Sequence, residues 1–118
     1  MDSEYITPFD VEQEMVDLNT RIGKAPGVIK AHHNALKEAR TAHRMAYARA
    51  YSTAEGTILD RRMQADLETQ GEREAMDNAE ITYRYVRDEL DALKTKLRAL
   101  QSIGSMLRAE MFNKQGGL

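Results

Sequence analysis

The chain has 118 residues, 42% hydrophobic and 31% charged, with no cysteine, no tryptophan, two prolines, seven glycines and a formal net charge of −2. That length suits one domain. The missing cysteines exclude disulfides, thiolate catalysis, thiolate zinc sites and iron–sulfur ligation, and no apolar run reaches the ~18 residues a membrane span requires.

The near-neutral total conceals an uneven distribution. Residues 1–22 carry Asp2, Glu4, Asp10, Glu12, Glu14 and Asp17 against Arg21 alone, a balance of −5. Residues 23–54 carry Lys24, Lys30, Lys37, Arg40, Arg44 and Arg49 against Glu38, a balance of +5, and also hold all three histidines, His32, His33 and His43. The first ten residues lack the basic head and apolar stretch of a secretory leader, so the cytoplasm is the expected location, the host's if the chain is phage-encoded.

Taken in chain order, the elements are helical. Thr7-Pro8-Phe9-Asp10 supplies a capping hydroxyl, proline at the first helical position and an acid at the third. Val11, Met15, Leu18 and Ile22 then fall on one stripe. Gly23 and the Ala25-Pro26-Gly27 turn end this acidic first segment at about residue 22. A basic second helix follows over 28–54. Its inner face is read as Ala35, Ala39, Ala42, Ala46 and Ala50 with Leu36 and Tyr47, a surface too small to hold a helix without a long partner.

Gly56 breaks the pattern, and Thr57 with Asp60 has capping-box spacing. A middle helix over 58–68 has Ile58, Met63 and Leu67 as its apolar residues. Thr69-Gln70-Gly71-Glu72 matches the same box and opens the last helix, 70–112. There Ala79, Tyr83, Val86, Leu90, Leu93, Leu97, Leu100, Gly104, Leu107 and Met111 alternate in steps of four and three, the period of a coiled-coil seam. At about 1.5 Å per residue this helix is about 60 Å long, more than a small chain buries alone. Self-association through Leu90, Leu93, Leu97, Leu100, Ile103, Leu107 and Met111 is therefore expected, with 113–118 as a tail. The fold class is all-α, a coiled-coil or bundle oligomer treated as a single domain.

Chemistry is harder to find. His32 and His33 diverge by about 100° on a helix and have no acid three or four residues away in a metal-binding pattern, so no metal site is expected. No phosphate loop, nucleophile elbow or serine–histidine–acid set appears, so neither catalysis nor a cofactor is expected. Glu80 and Arg84 have the i,i+4 spacing of a helix-stabilising pair. Lys37, Arg40 and Arg44 share one face, with Tyr47 and Tyr51 close to it and Arg49 nearby, a combination suited to tracking a phosphate backbone and stacking bases. The same residues admit another reading, in which the tyrosines fill an alanine-rich core and the basic segment neutralises the acidic one.

The order of elements resembles the UvsY recombination mediators of T-even phages and small helical proteins of phage recombination. The likeness lies in Ala48-Arg49-Ala50-Tyr51-Ser52, the Gly56 break, Ile58 to Leu67, and the run from Leu90-Asp91-Ala92-Leu93-Lys94 through Ile103-Gly104-Ser105-Met106-Leu107-Arg108, roughly residues 35–112. The resemblance implies an all-helical ring assembled through the C-terminal part, binding single-stranded DNA, remodelling single-strand-binding protein and helping to load a RecA-type recombinase. It adds Arg61 and Arg62 to Lys37, Arg40, Arg44 and Arg49 as DNA-facing candidates, and places Leu100, Ile103, Leu107 and Met111 in the assembly interface. The basic residues around Tyr51 depart from the family's pattern, and the acidic first helix is unlike a simple DNA binder. The expected function is thus a non-enzymatic recombination accessory protein. The alternative is a phage coiled-coil protein that binds or inhibits another protein without touching DNA.

Overall fold

The computed structural model describes residues 6–115. Among these, the chain forms three helices and no strand: α1 over Pro8–Thr53, α2 over Ile58–Glu68 and α3 over Gln70–Gln115. The fold is all-α. Residues 116–118 of the expected tail, with Asp2 and Glu4 of the acidic segment, lie outside the described residues. The backbone divides into two compact units, one of Met1–Pro26 with Asp88–Leu118 and one of Gly27–Arg87.

In the first unit, the start of α1 is locked as its sequence predicts. The Thr7 hydroxyl accepts from the Asp10 backbone N–H, and the Asp10 carboxylate accepts from the Thr7 N–H, each at 3.1 Å. Val11 and Leu18 are buried, and Met15 and Ile22 are half-buried between turns of the same stripe. They face α3, where Leu90, Leu93, Leu97, Leu100, Ile103 and Leu107 are half-buried and Gly104 is buried. The pairing is antiparallel: Val11 Cγ1 lies 3.5 Å from where a Cβ on Gly104 would stand, while Glu14 meets Lys96 at 3.0 Å. The leucines assigned to an intermolecular interface are thus already engaged within the chain, because α1 supplies them with a partner helix. Met111, further along, is exposed.

In the second unit, α1 faces α3 with Ile29, His32, Leu36, Ala39, His43, Ala46 and Ala50, again in steps of three and four. Leu36 and Ala50 are buried, and Met76, Ala79, Tyr83 and Val86 are half-buried on α3. The expected inner face is met at Leu36, Ala39, Ala46, Tyr47 and Ala50 and corrected at two alanines. Ala35 and Ala42 are exposed, because they sit one residue before Leu36 and His43, about 100° round the helix. Two seam positions are instead histidines.

The turn expected between Gly23 and Gly27 is absent: α1 runs unbroken through Pro26. Two glycines and a proline cost a helix about 5 kcal/mol relative to alanine, and Pro26 removes the backbone bond to the Ile22 carbonyl. Packing overrides this. Ile22 and Ala25 before the proline are half-buried within the first unit, and Ile29 and His32 after it within the second. The buried Val11, Leu18 and Leu36 contribute about 1.5–3 kcal/mol each.

At its far end α1 stops at Thr53, where the Ser52 and Thr53 hydroxyls donate to the Arg49 carbonyl at 2.9 and 3.1 Å and compete with the backbone. Gly56 reverses the chain at φ +105°, a conformation natural only to glycine. Thr57 and Asp60 then close the predicted capping box on α2. The second predicted box does not form. Thr69 is buried and turns its hydroxyl back to the Ala65 carbonyl at 2.7 Å, so it joins α2 to α3 by one residue instead of capping α3 through Glu72. The apolar residues of α2 do not form its buried face. Ala65 is its buried residue, whereas Ile58, Leu59, Met63 and Leu67 are 57–73% exposed.

Candidate nucleic-acid interface

The sequence candidates are all in the second unit, and the register of α1 sorts them. His33, Lys37, Arg40, Arg44, Tyr47 and Tyr51 follow one another in steps of four and three, the same period as the buried seam and immediately beside it. Each charged member is exposed and each tyrosine half-buried. From His33 to Tyr51 the stripe is about 27 Å long at about 1.5 Å per residue, comparable with about eight stacked nucleotides of one strand.

Aromatic rings line its distal end. The His43 and Tyr47 rings lie 6.2 Å apart and tilted, and Tyr47 and Tyr51 are 6.4 Å apart with planes 19° from parallel. The tight Gly56 reversal brings α2 alongside, placing the Arg61 guanidinium 5.9 Å from the centre of the Tyr51 ring, a cation–π distance. Arg61 Nε is buried and, among the described residues, has no hydrogen-bond partner. Tyr47, Ala48, Tyr51 and Arg62 line an open recess of about 460 Å³. Four of the candidates, Tyr47, Tyr51, Arg61 and Arg62, are thus gathered at one place.

At the other end, sequence reasoning missed a contribution from α3. His33 stacks on Tyr83 with centroids 5.2 Å apart, and Arg87 lies 5.6 Å from the same ring. Between the two aromatic clusters Arg40 donates to Glu80 at 3.2 Å, and Glu80 also accepts from Arg84 at 2.8 Å, the predicted i,i+4 pair. One carboxylate between two guanidinium groups leaves this stretch net positive. Tyr83 is read as a seam residue and Arg84 as a solvated helix pair on periodicity alone. Only the antiparallel register sets them beside α1.

Arg49 does not belong to the stripe. It lies about 200° from Tyr47 around the helix and lines a different recess, of about 300 Å³, with Thr53, Glu68, Thr69 and Glu72. Lys37 also borders a shallow area with Thr41, Ala42 and Met45 on the outer side of α1. The acidic first segment does not share a unit with the stripe. Its Glu14 pairs with Lys96, and residues 1–26 cluster with 88–118, so within its own unit the basic stripe has Glu80 as its neutralising partner among the described residues.

Among the described residues no three histidine, aspartate or glutamate side chains converge in a way that could hold a metal ion, and no helix is long and apolar enough to cross a membrane. Comparison with protein families, with characterised proteins and with solved structures gives no match for this chain.

Proposed function

We propose that the protein is a non-enzymatic accessory factor of DNA recombination that binds single-stranded DNA along the stripe from His33 to Tyr51. The carrying observation is the union of exposed cations at helical spacing with aromatic clusters at both ends, Tyr47–Tyr51–Arg61 and His33–Tyr83–Arg87. Lys37, Arg40 and Arg44 neutralise phosphates, a contribution independent of base sequence. Tyr47 and Tyr51 offer ring faces to bases, which unpaired strands expose and duplexes do not. The Arg61 guanidinium adds a positive charge beside the Tyr51 ring. The resemblance to the UvsY mediators extends this to assembly as a homo-oligomer, displacement of single-strand-binding protein and loading of a RecA-type recombinase in a host cytoplasm.

The test is fluorescence anisotropy with a labelled oligothymidine across a salt series. The reading expects micromolar or tighter binding at low salt, falling linearly with log salt by about 0.7 per phosphate contacted. Tyr51→Ala should weaken binding by about 1–3 kcal/mol, the worth of one stacked base. No binding at low salt, or binding that ignores salt, overturns the reading and favours the coiled-coil interaction protein. That second reading draws its support from the large apolar side chains exposed on α2.

A further inference from the structure

Tyr47 and Tyr51 stand one helical turn apart on α1 without closing on each other. Four residues of helix advance about 6 Å along the axis, and the two ring centres are 6.4 Å apart with planes 19° from parallel. The rings thus keep the spacing of the backbone that carries them. Successive bases of one strand repeat every 3.4 Å or so, which makes a base held between two rings require about 6.8 Å from ring to ring. The observed separation falls short of that by a few tenths of an ångström, within reach of a small side-chain rotation. The neighbouring pair lacks this geometry. His43 and Tyr47 are 6.2 Å apart but tilted by 46°, and a flat base cannot lie parallel to both.

The approach to the two rings is open. Ala48, one residue after Tyr47 and three before Tyr51, is exposed and carries only a methyl group. With both tyrosines and Arg62 it lines the recess of about 460 Å³, a volume within the range of small-molecule sites. Helix α2 brings charge to the same place. Arg62 is exposed where it borders the recess, and the Arg61 guanidinium lies 5.9 Å from the Tyr51 ring centre. One nucleotide asks for this combination: aromatic faces for its base and a guanidinium for its phosphate.

We propose that this recess takes one unpaired nucleobase of a DNA strand, inserted between Tyr47 and Tyr51 with its phosphate on Arg62. The proposal deepens the single-stranded DNA reading and rests on it. Contact along the rest of the stripe is to phosphates, whereas this slot makes binding depend on a base. A duplex fills it only by unpairing and unstacking one of its own bases. Ala48 decides access, because a larger side chain there occupies the space that the base would enter.

The test compares labelled oligothymidine with a labelled abasic strand of the same length, which carries the same phosphates and no bases. Anisotropy at low salt should show the wild type preferring oligothymidine by about fivefold or more. Ala48→Leu fills the recess while leaving both tyrosines and every cation in place. Leucine and alanine are both strong helix formers and Ala48 is exposed, so the circular dichroism spectrum should be unchanged. This variant should lose about 5- to 150-fold in affinity for oligothymidine, the worth of one stacked base, and nothing for the abasic strand. Tyr47→Phe keeps a ring face and should retain the preference, whereas Tyr47→Leu should lose it. Equal wild-type affinity for the two strands overturns the slot, as does an Ala48→Leu variant that keeps the full preference. Salt-dependent binding of the abasic strand would then leave the phosphate-tracking stripe standing by itself. If neither strand binds, the DNA reading fails and the slot falls with it.

Discussion

Replacing Gly104 by alanine should stabilise the protein, although the position lies in the middle of a packed seam. Gly104 is buried in α3 opposite Val11. A Cβ built there meets Val11 Cγ1 and the Arg108 guanidinium at 3.5 Å each, ordinary van der Waals contact with no overlap. Two gains then add. Alanine is better than glycine in a helix interior by about 1 kcal/mol, and burying one methyl contributes about 0.8 kcal/mol. The expected increase is therefore between about 1 and 2 kcal/mol, a rise of about 4–8 °C in Tm for a chain of this size. Urea unfolding followed by circular dichroism at 222 nm measures it. Gly23→Ala provides the reference, because its Cβ meets nothing within 4 Å and should return the propensity gain of about 1 kcal/mol alone. A Gly104→Ala variant less stable than wild type would refute the reasoning, since it would mean that α1 and α3 need glycine to approach. Leucine at 104 should reverse the sign, costing about 1–3 kcal/mol by overpacking against Val11.

Gly56→Ala should destabilise by about 1–2 kcal/mol in the same urea assay, because its φ of +105° strains any L side chain and the new Cβ would stand 2.7 Å from Asp60 Oδ2. The Thr57 backbone N–H, and then the Thr57 hydroxyl, hold the Asp60 carboxyl below its ordinary value of 3.8. Its contribution is thus present above 3.8 and lost as pH falls through the lower folded value. The stability gap between wild type and Asp60→Asn should accordingly be constant near neutrality and close below pH 3.8. Leu36→Ala empties a site that is 2% exposed and should cost about 2–5 kcal/mol, read as a shifted urea midpoint. Glu80→Gln removes the carboxylate shared by Arg40 and Arg84. If the stripe carries nucleic acid, the variant should bind oligothymidine more tightly and with a salt slope steeper by about 0.7 for each cation released to a phosphate. Unchanged affinity would place Arg40 outside the site.

Much of this architecture is local and was legible in the residues. Thr7 with Asp10 and Thr57 with Asp60 cap helices because the bonding groups lie three residues apart, and Gly56 reverses the chain because its own φ permits it. The α3 seam is legible because its period is a property of one helix. Local rules failed where a second helix outweighed them. Pro26 and its flanking glycines are breakers by propensity, yet α1 continues, with its apolar stripe packed on α3 within each unit. Thr69 fits a forward cap but turns back once it is buried. The candidate site divides in the same way. Lys37, Arg40, Arg44, Tyr47 and Tyr51 share a face by helical spacing alone, whereas Arg49 drops out, Arg61 stacks on Tyr51, and Tyr83 with Arg87 joins His33. Periodicity tells which residues of one helix lie together. Which face turns inward, and what lies across from it, is decided by burial between helices, and that is why α2 could carry its leucines outward.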